Sequence, residues 1–213
     1  MTPKLTFQGT KVHSGYLPTE AQKAWARALR EVAQAAPMFH PQTRFGAQMS
    51  VQMTSAGTCG WVSDRRGYRY EPRHPSGVAW PDIPPPVLAL WHEVTGLSRA
   101  PDCCLINYYS QGARLGLHQD RDEASFDWPV VSVSLGDDAL FRVGGAARSD
   151  PTKSVWLHSG DVVVMAGAAR LAFHGIDRIK FGTSTLLPRG GRINVTLRVV
   201  TWARVSVSRP SFG

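Results

Sequence analysis

The chain has 213 residues, of which 43% are hydrophobic and 19% are charged, a balance that predicts one globular domain and excludes a disordered chain. It has no apolar run of about 18 residues, no secretory signal pattern at its start and only three cysteines, so we expect no membrane span, no disulfide framework and a reducing, cytoplasmic location. The 24 Lys and Arg residues outnumber the 16 Asp and Glu residues, and the net charge of +8 favours a nucleic-acid partner without requiring one.

The first predicted element is a helix over residues 19–36. Thr19 and Gln22 have the spacing of a capping box, and Pro37 ends the pattern because its ring cannot continue a helix. Between these ends apolar residues recur at helical spacing, which predicts one buried face. The residues of this stripe are Trp25, Leu29, Val32 and Ala36.

The next segment, residues 38–85, has a different pattern. Pieces such as "AQMSVQMTS" and "RRGYRYEPRHP" alternate Met, Gly, aromatic and Arg residues, which indicates hairpins and loops rather than a helical layer. The run "PDIPPP" is a stiff break, and a second helix is predicted after it over residues 86–97, with Gly96 near its end. The apolar stripe of this helix consists of Val87, Leu90, Trp91 and Val94.

From residue 103 onward the pattern is that of β-strands. The runs "CCLINYY", "VVSVSLG", "ALFRVG", "SVWLHSGDVVVMAG" and "RINVTLRVVTW" are rich in β-branched residues and are separated by Gly, Asp and Pro. Short strands at this spacing predict a sandwich or a barrel, with a jelly roll among the options. The last residues, 204–213, are expected to form a frayed end.

The segment "HQDRDE", residues 118–123, is either a solvated turn between strands or one edge of a metal site. If the segment is extended, His118 and Asp120 point to the same face, and His174 in the strand-like run "RLAFHGI" is the best third ligand. Two histidines and one carboxylate with open positions opposite are typical of non-haem Fe(II) oxygenases, and zinc is an alternative. The remaining histidines are interpreted as surface or structural residues: His13, His40, His74, His92 and His158.

The strand "RINVTLRVV" alternates apolar and polar residues. If its polar face is solvated, this is an ordinary exposed strand. If that face lines a barrel interior, its guanidinium groups need an anionic partner, because unpaired buried charges are costly. A small dicarboxylate such as 2-oxoglutarate would pair with them bidentately, and Asn107 and Tyr109 in "LINYY" would add an amide and a hydroxyl. The polar face consists of Arg192, Asn194, Thr196 and Arg198, and the apolar face of Ile193, Val195, Leu197 and Val199.

Four segments, "CLINYYSQGARLGLHQDRDE", "PVVSVSLG", "SGDVVVMAGAARLAFHGI" and "RINVTLRVV", resemble in order and spacing the AlkB family of Fe(II)/2-oxoglutarate dioxygenases. The upstream pieces "MSVQMTSAGTCGWVSDRRGYRY" and "WPDIP" are similar to the bacterial repair type of that family, and the resemblance extends over about residues 16–202. One departure is Tyr108, where the repair enzyme often has Arg. Tyr108 should point away from Asn107 and Tyr109, so the departure affects only an outer contact.

The resemblance implies a mainly β fold with flanking helices (α+β). Residues 86–213 would form a double-stranded β-helix (jelly-roll) core, and residues 1–85 an N-terminal extension and nucleotide-recognition lid, together one globular unit. The implied cofactors are Fe(II), 2-oxoglutarate and O2. The implied metal ligands are His118, Asp120 and His174. The implied 2-oxoglutarate residues are Asn107, Tyr109, Arg192, Asn194 and Arg198, with Arg192 on the distal carboxylate and Arg198 nearer the iron. The implied substrate residues are Trp61, Tyr68, Tyr70, Asp122 and Arg148.

The reaction that the resemblance implies is oxidative demethylation of 1-methyladenine and 3-methylcytosine in DNA, with single strands preferred, releasing formaldehyde, succinate and CO2. RNA or another methylated substrate is the alternative, and a non-catalytic cupin-like module and a zinc hydrolase are rival functions. A base inside a duplex reaches a buried metal only when it is flipped out. Trp61 would then stack on the cationic methylated base, and nearby arginines would contact phosphates. These arginines are Arg65, Arg66, Arg69 and Arg73. A monomer is expected.

Overall fold

The computed structural model describes residues 5–7 and 9–200, so the predicted frayed end at residues 204–213 lies outside the described part. The described chain contains two α-helices, one short 3-10 helix (Gly167–Ala169) and three groups of strands. None of these helices is long and apolar enough to cross a membrane. The predicted mainly β fold with flanking helices is confirmed.

The strands fall into two facing antiparallel sheets and one separate hairpin. In chain order they are β1 (Leu5–Phe7), β2 (Thr10–His13), β3 (Gln52–Gly57), β4 (Gly60–Asp64), β5 (Gly67–Glu71), β6 (Cys103–Tyr109), β7 (Leu115–His118), β8 (Val130–Gly136), β9 (Asp138–Val143), β10 (Lys153–Leu157), β11 (Val162–Met165), β12 (His174–Lys180) and β13 (Arg192–Arg198). The large sheet has the order β1-β2-β11-β8-β13-β6-β3, the small sheet has the order β10-β9-β12-β7, and β4 pairs with β5.

Helix α1 spans Thr19–Ala35, close to its predicted bounds, and its predicted apolar stripe is buried. The predicted capping box is wrong, because Pro18 is the N-cap and no side chain caps the helix. Gln22 instead donates from Nε2 to the Leu17 carbonyl at 2.8 Å and accepts from the Ser159 hydroxyl at 2.6 Å. A tertiary contact between the helix and the turn that follows β10 therefore takes the place of the local cap.

Helix α2 spans Pro85–Thr95, one to two residues earlier than predicted at each end. Gly96 caps it in the left-handed conformation with φ 68°, where a side chain would be strained. Trp91 is fully buried, and its indole N–H donates to the Arg99 carbonyl at 2.8 Å. Burying a side chain of this size contributes roughly 1.5–3 kcal/mol, so α2 is held mainly by its apolar face.

The two faces of the large sheet pack against different layers. Both helices cover the outer face, where helix residues such as Leu29 and Trp91 pack with Ile106, Val133 and Leu197 of the sheet. The small sheet covers the inner face, and a second apolar cluster forms between the sheets. That inner cluster includes Leu105, Val130, Phe141, Val163, Met165 and Ile176. The predicted sandwich is therefore covered by helices on the outer face of its large sheet and encloses a space between its two sheets.

The alternation along β13 separates these two environments. Val195 and Leu197 face the helices, whereas Arg192 is 0% exposed and Arg198 is 6% exposed. Because the polar face is buried, the interpretation of β13 as an ordinary solvated strand is wrong. The polar side chains lie inside the molecule, between the two sheets.

The segment 38–85 forms hairpins and loops, as predicted. Strand β3 joins the edge of the large sheet beside β6, while the β4–β5 hairpin lies next to it. Gly60 starts β4 against the Trp80 ring, where a Cβ would come within 2.4 Å of ring carbons, so only glycine fits there. This close approach fixes where the hairpin leaves the sheet.

Candidate metal centre and adjoining cavity

Three potential metal ligands meet at one end of the small sheet. His118 ends β7 and His174 begins β12, and the two residues are direct partners across the strands. The next residue, Gly175, permits this pairing, because a Cβ on it would come within 2.6 Å of the Leu115 carbonyl oxygen. Asp120 follows β7, and the ligand atoms of all three side chains lie within 4.8 Å of one another. The structure therefore brings together the residues that the sequence pattern singled out.

Both imidazoles are oriented by their second nitrogen. His118 Nδ1 lies 2.9 Å from the Gly116 carbonyl oxygen, and His174 Nδ1 lies 3.0 Å from the Ala172 carbonyl oxygen. A carbonyl only accepts hydrogen bonds, so each Nδ1 carries the proton and each Nε2 presents a lone pair. The Nε2 atoms lie 3.7 and 3.8 Å from the Asp120 carboxylate oxygens, too far for hydrogen bonds and suited to a shared ion.

The protonation states of these residues also suit a divalent cation. Burial would raise the pKa of Asp120, but the Arg198 guanidinium and then the two imidazoles outweigh it and hold that pKa well below its usual range. Burial, followed by the effect of His118, lowers the pKa of His174 to about 4. At neutral pH the cluster therefore presents a carboxylate and an unprotonated His174, which are the forms that bind metal. One oxygen, Asp120 Oδ2, is buried without a hydrogen-bond partner among the described residues.

A cavity of about 730 Å³ opens beside this cluster, between the two sheets. Its walls include the predicted pairs on β6 and β13, so Asn107, Tyr109, Arg192, Asn194 and Arg198 all line it together with the three potential ligands. Tyr108 points elsewhere, and its hydroxyl donates to the Gly190 carbonyl at 3.1 Å. A cavity of this size accommodates a small dianion and one base.

Arg192 is a buried cation at the inner end of the polar strand face. It is 0% exposed, its Nε donates to the Ser134 hydroxyl at 2.9 Å, and its guanidinium lies 5.2 Å from the Tyr109 ring centre. Its Nη1 and Nη2 atoms have no hydrogen-bond partner within the described part of the chain. Burial lowers the pKa of Arg192, and the Tyr109 hydroxyl opposes that shift. Two unpaired donors at fixed spacing match one carboxylate, so the residues present fit a dicarboxylate ligand.

The amide side chains between Arg192 and the metal cluster form a ladder across three strands. Asn107 Nδ2 donates to Asn194 Oδ1 at 3.3 Å, Thr196 donates to the same oxygen at 3.0 Å, and Asn194 Nδ2 donates to the Ser132 hydroxyl at 2.6 Å. Asn107 Oδ1 is left without a partner among the described residues. Such a ladder holds the amides in one orientation towards the cavity.

Arg198 contacts the metal cluster itself. Its Nη2 lies 2.8 Å from Asp120 Oδ1, and its Nη1 donates to the Tyr70 hydroxyl at 3.0 Å. Its Nε lies 3.6 Å from the Glu123 carboxylate. Because Asp120 and Glu123 offset its charge, Arg198 is held beside the metal position. Arg192, at the far end of β13, has no acidic partner among the described residues.

The mouth of the cavity carries most of the predicted substrate residues. Trp61 and Tyr68 on the β4–β5 hairpin stack with ring centres 5.6 Å apart and an interplanar angle of 23°. The Trp61 indole N–H donates to Asp122 Oδ2 at 2.8 Å, a contact that the sequence did not predict. Arg148 donates to the Leu117 carbonyl at 3.1 Å and lies over the Phe173 ring. Trp61, Tyr68, Asp122 and Arg148 all line the cavity.

Tyr70 differs from these four, because the described residues that line the cavity do not include it. Its hydroxyl donates to Glu123 Oε1 at 2.6 Å and accepts from Arg198. Burial, opposed by Arg198, raises the pKa of Tyr70 well above its usual range. The structure thus places Tyr70 behind the metal cluster, where it joins the hairpin to the core.

Sequence reasoning missed the buried pair of Glu123 and Arg170 behind the cluster. Arg170 donates to Glu123 Oε2 at 3.0 Å, to the Asp120 carbonyl at 2.7 Å and to the Trp128 carbonyl at 2.9 Å. Glu123 lies in "HQDRDE", but 47 residues separate it from Arg170. No local spacing rule relates the two, because only the fold joins them. The pair fixes the backbone that carries Asp120.

Phenylalanine substitutions distinguish the two tyrosines of the hairpin. Tyr70→Phe is expected to lower the free energy of unfolding by about 1.5–3 kcal/mol, since it removes hydrogen bonds to charged groups. Tyr68→Phe is the matched control, because Tyr68 is 51% exposed and should leave stability unchanged. Urea unfolding of both variants measures this difference. Wild-type stability in Tyr70→Phe would contradict the structural role that its contacts indicate.

Two of the four arginines that were predicted to contact phosphates, Arg66 and Arg69, are paired with acidic residues. Arg69 forms bonds of 2.9 Å with both oxygens of Asp64 and pairs with Glu71, so its charge is already offset. Arg66 also pairs with Asp64, at 3.3 Å. Arg73 donates to a loop carbonyl. For Arg69 the ion pairs oppose the predicted phosphate contact.

The sequence is similar to known proteins along most of its length. A model of the 2OG-Fe(II) oxygenase superfamily matches residues 9–198. An alpha-ketoglutarate-dependent dioxygenase AlkB homolog of Caulobacter vibrioides is 53% identical over 197 residues, which cover 92% of this chain and 90% of that protein. The chain belongs to the AlkB family of these oxygenases. It is therefore an Fe(II)- and 2-oxoglutarate-dependent dioxygenase, as the resemblance implied.

Two further AlkB-family comparisons agree. Alpha-ketoglutarate-dependent dioxygenase AlkB of Escherichia coli K12 is 42% identical over 177 residues, covering 81% of this chain and 82% of that protein. The solved structure of OsALKBH1 matches with a TM-score of 0.76 and 29% sequence identity, covering 92% of this chain and 99% of that chain. The predicted oxygenase fold is confirmed by this structural match. The two rival functions that the sequence analysis named, a non-catalytic cupin-like module and a zinc hydrolase, are wrong for a member of this family.

Proposed function

We propose that this AlkB-family dioxygenase repairs DNA by demethylating 1-methyladenine and 3-methylcytosine, with release of formaldehyde, succinate and CO2. The observation that supports the proposal is a single cavity that presents three different kinds of side chain at three positions along its length. A His-Asp-His cluster lies at its centre and the Trp61 and Tyr68 rings lie at its mouth. At its inner end lies the Arg192 guanidinium, whose two terminal nitrogens have no partner among the described residues. From the inner end to the mouth, this arrangement suits a dicarboxylate, a metal ion and an aromatic base.

In this proposal His118, Asp120 and His174 hold Fe(II). Bound Fe(II) supplies the oxidation of 2-oxoglutarate by O2 that is coupled to hydroxylation of the methyl group. The chain supplies ligand orientation through the carbonyl contacts of the two imidazoles. Arg170 and Glu123 hold the Asp120 backbone in place, which keeps the carboxylate at its position.

The polar faces of β6 and β13 bind 2-oxoglutarate. Arg192 takes the distal carboxylate bidentately, because its two terminal nitrogens lie at the far end of the cavity and have no hydrogen-bond partner among the described residues. Asn107, Tyr109 and Asn194 line the space between that end and the metal. Arg198 lies beside Asp120 and therefore contacts the end of 2-oxoglutarate that is nearer the metal.

The aromatic mouth selects the lesion. Methylation at N1 of adenine or N3 of cytosine makes the base cationic, and the face of Trp61 attracts a cation. Asp122 accepts from the Trp61 indole at one oxygen, which leaves its second oxygen for an exocyclic amine. Arg148 is exposed at the mouth, where it suits a flanking phosphate. Single strands are preferred, because no base pair has to be broken to bring the base into the cavity.

A methylated oligonucleotide provides the direct test. A single-stranded DNA that carries one 3-methylcytosine is incubated with the protein, Fe(II), ascorbate and 2-oxoglutarate, and its mass is followed. Loss of one methylene mass together with one succinate per event is expected. Omission of 2-oxoglutarate is the control. An unchanged DNA mass would contradict the proposal that DNA is the substrate. Turnover of the matching RNA oligonucleotide in the same assay would favour the alternative RNA substrate.

Trp61→Ala is expected to weaken binding of the methylated oligonucleotide by about 1–3 kcal/mol, the usual contribution of one base–aromatic stack. Fluorescence anisotropy of the labelled strand, with and without the methyl group, measures it. Trp156→Ala is the matched control, because Trp156 is 37% exposed on the small sheet and does not line the cavity. Equal weakening in both variants would contradict a specific role for Trp61.

The proposal includes a monomer in the cytoplasm. The three cysteines, Cys59, Cys103 and Cys104, are buried and free, which suits a reducing compartment.

A further inference from the structure

Asp137 lies where the chain crosses from the large sheet to the small sheet. It is the single residue between β8, which ends at Gly136, and β9, which begins at Asp138. A second crossing is made by residues 181–191, which join β12 of the small sheet to β13 of the large sheet. The relative exposure of Asp137 is 0%, and a carboxylate buried in this way is costly unless it accepts hydrogen bonds.

The Asp137 carboxylate takes its hydrogen bonds from both ends of the second crossing. Its Oδ2 accepts from the Gly182 N–H at 3.0 Å, near the start of that segment, and from the Gly191 N–H at 2.8 Å, at its end. Its Oδ1 accepts from the Ser184 N–H at 2.9 Å, and the Asp137 N–H donates to the Gly191 carbonyl at 2.9 Å. These four hydrogen bonds form the Asp137 clamp, which ties the end of β12 to the start of β13.

Close backbone contacts limit movement around the clamp. A Cβ on Gly136 would come within 2.5 Å of the Gly191 carbonyl oxygen, and a Cβ on Gly191 within 2.6 Å of the Tyr109 carbonyl oxygen. The ends of β8 and β6 therefore lie directly against the start of β13. Arg192 is the residue that follows Gly191, so the clamp ends one residue away from the buried guanidinium.

The clamp acts on the separation between the metal cluster and Arg192. His118 and His174 belong to β7 and β12 of the small sheet, whereas Arg192 is the first residue of β13 in the large sheet. A dicarboxylate that reaches from the metal to Arg192 must therefore bridge the two sheets. Its length matches that gap only while the sheets keep one spacing, and the Asp137 clamp fastens them at the end where Arg192 lies.

We propose that Asp137 is a positioning residue that sets the length of the dicarboxylate bound between the metal cluster and Arg192. The clamp holds Arg192 at the distance that suits a five-carbon dianion such as 2-oxoglutarate, so an acid with one further methylene group fits poorly. Asp137 is not part of the cavity lining and acts through the backbone of Gly191 and Arg192. The inference rests on the proposed 2-oxoglutarate site and adds the residue that determines its selectivity.

Binding of two dicarboxylates that differ by one methylene group tests the proposal. 2-Oxoglutarate and 2-oxoadipate are titrated calorimetrically into the protein with Fe(II), without O2 and without nucleic acid. Wild type is expected to prefer 2-oxoglutarate, and Asp137→Asn to reduce that preference by about tenfold, because the amide replaces one accepting oxygen by a donor. Asp138→Asn is the matched control, because its carboxylate contacts His158 at 2.8 Å. An unchanged preference in Asp137→Asn, or an equal loss of affinity for both acids, would overturn the proposal.

Hydrogen exchange measures the clamp itself, in the absence of any ligand. The amides of Gly182, Ser184 and Gly191 are expected to exchange about tenfold faster in Asp137→Asn than in wild type, because they lose an ionised acceptor. The control Asp138→Asn should exchange at these positions as wild type does. Wild-type exchange in Asp137→Asn would show that the carboxylate does not fasten the crossing.

Arg192→Met separates this inference from the 2-oxoglutarate site on which it rests. Wild-type affinity for 2-oxoglutarate in Arg192→Met contradicts the proposed site. Weaker binding in Arg192→Met together with an unchanged preference in Asp137→Asn contradicts only the role of Asp137. Because neither the titration nor the exchange measurement contains nucleic acid, a failure to turn over methylated DNA would count against the repair function and leave both results valid.

Discussion

His174→Ala is expected to abolish formaldehyde release while the protein remains folded. The substitution removes one of three proposed ligands, whose atoms lie within 4.8 Å of one another. Loss of an outer-shell partner typically costs 10–100-fold in metal affinity, so loss of a direct ligand should cost more than about 100-fold. Fe(II) retained after dialysis and formaldehyde released from the methylated oligonucleotide are the two readouts.

His158→Ala is the matched control for this experiment. His158 also contacts a carboxylate, that of Asp138 at 2.8 Å, but its side chain is 52% exposed and lies outside the cavity lining. This variant should keep its iron and its activity. Thermal unfolding checks that both variants are folded. Retained turnover in His174→Ala would remove His174 from the ligand set and leave the proposed metal centre without support.

Arg192→Met is expected to raise the 2-oxoglutarate concentration needed for half-maximal turnover by about 30-fold or more. Truncating one partner of a buried charge pair costs roughly 2–5 kcal/mol, and each 1.4 kcal/mol is about tenfold. The measurement is succinate formation against 2-oxoglutarate concentration. Arg142→Met is the control, because Arg142 forms a surface pair with Asp177 in which both side chains are 38% exposed, and such pairs contribute about 1 kcal/mol or less.

The same variant should be more stable than wild type when 2-oxoglutarate is withheld. No described residue accepts a hydrogen bond from Arg192 Nη1 or Nη2, and replacing a buried charge that lacks a counter-ion by an apolar side chain of similar length removes its desolvation cost. A gain of about 1 kcal/mol would raise the melting temperature by about 2–4 °C in a chain of this size. Added 2-oxoglutarate should stabilise wild type but not the variant. Lower stability without the ligand would show that Arg192 has a structural role instead.

The contrast between Arg192 and Arg198 explains how one polar strand face serves two ends of a ligand. Arg198 lies 2.8 Å from Asp120 and is already paired, so its position is fixed before any ligand binds. Among the described residues Arg192 has the Ser134 hydroxyl at Nε and the Tyr109 ring 5.2 Å from its guanidinium, and no carboxylate pairs with it. At the inner end of the cavity, the described residues therefore leave the two terminal nitrogens of a buried cation available to a carboxylate.

Local patterns in the sequence were sufficient for several parts of the site. Alternation along β13 put Arg192 and Arg198 on one face, because side chains on a strand point to opposite sides with a period of two. The same rule paired Asn107 with Tyr109 and His118 with Asp120. Helix α1 followed from its apolar stripe. Each of these predictions depends on residues only a few positions apart, where covalent geometry limits the options.

Long-range pairing was the part that only the tertiary structure decided. His174 faces His118 because β12 pairs with β7, and Arg170 meets Glu123 across 47 residues. The family resemblance implied Tyr70 as a substrate residue together with Tyr68 and Trp61, yet the Tyr70 hydroxyl donates to the Glu123 carboxylate. Gln22 was predicted to cap α1, but it accepts a hydrogen bond from the Ser159 hydroxyl, a residue that the fold brings to it from a distant part of the chain. Strand periodicity predicts which side chains share a face, because neighbouring side chains on a strand point to opposite sides. Burial and hydrogen bonding between distant segments determine which residues that face contacts.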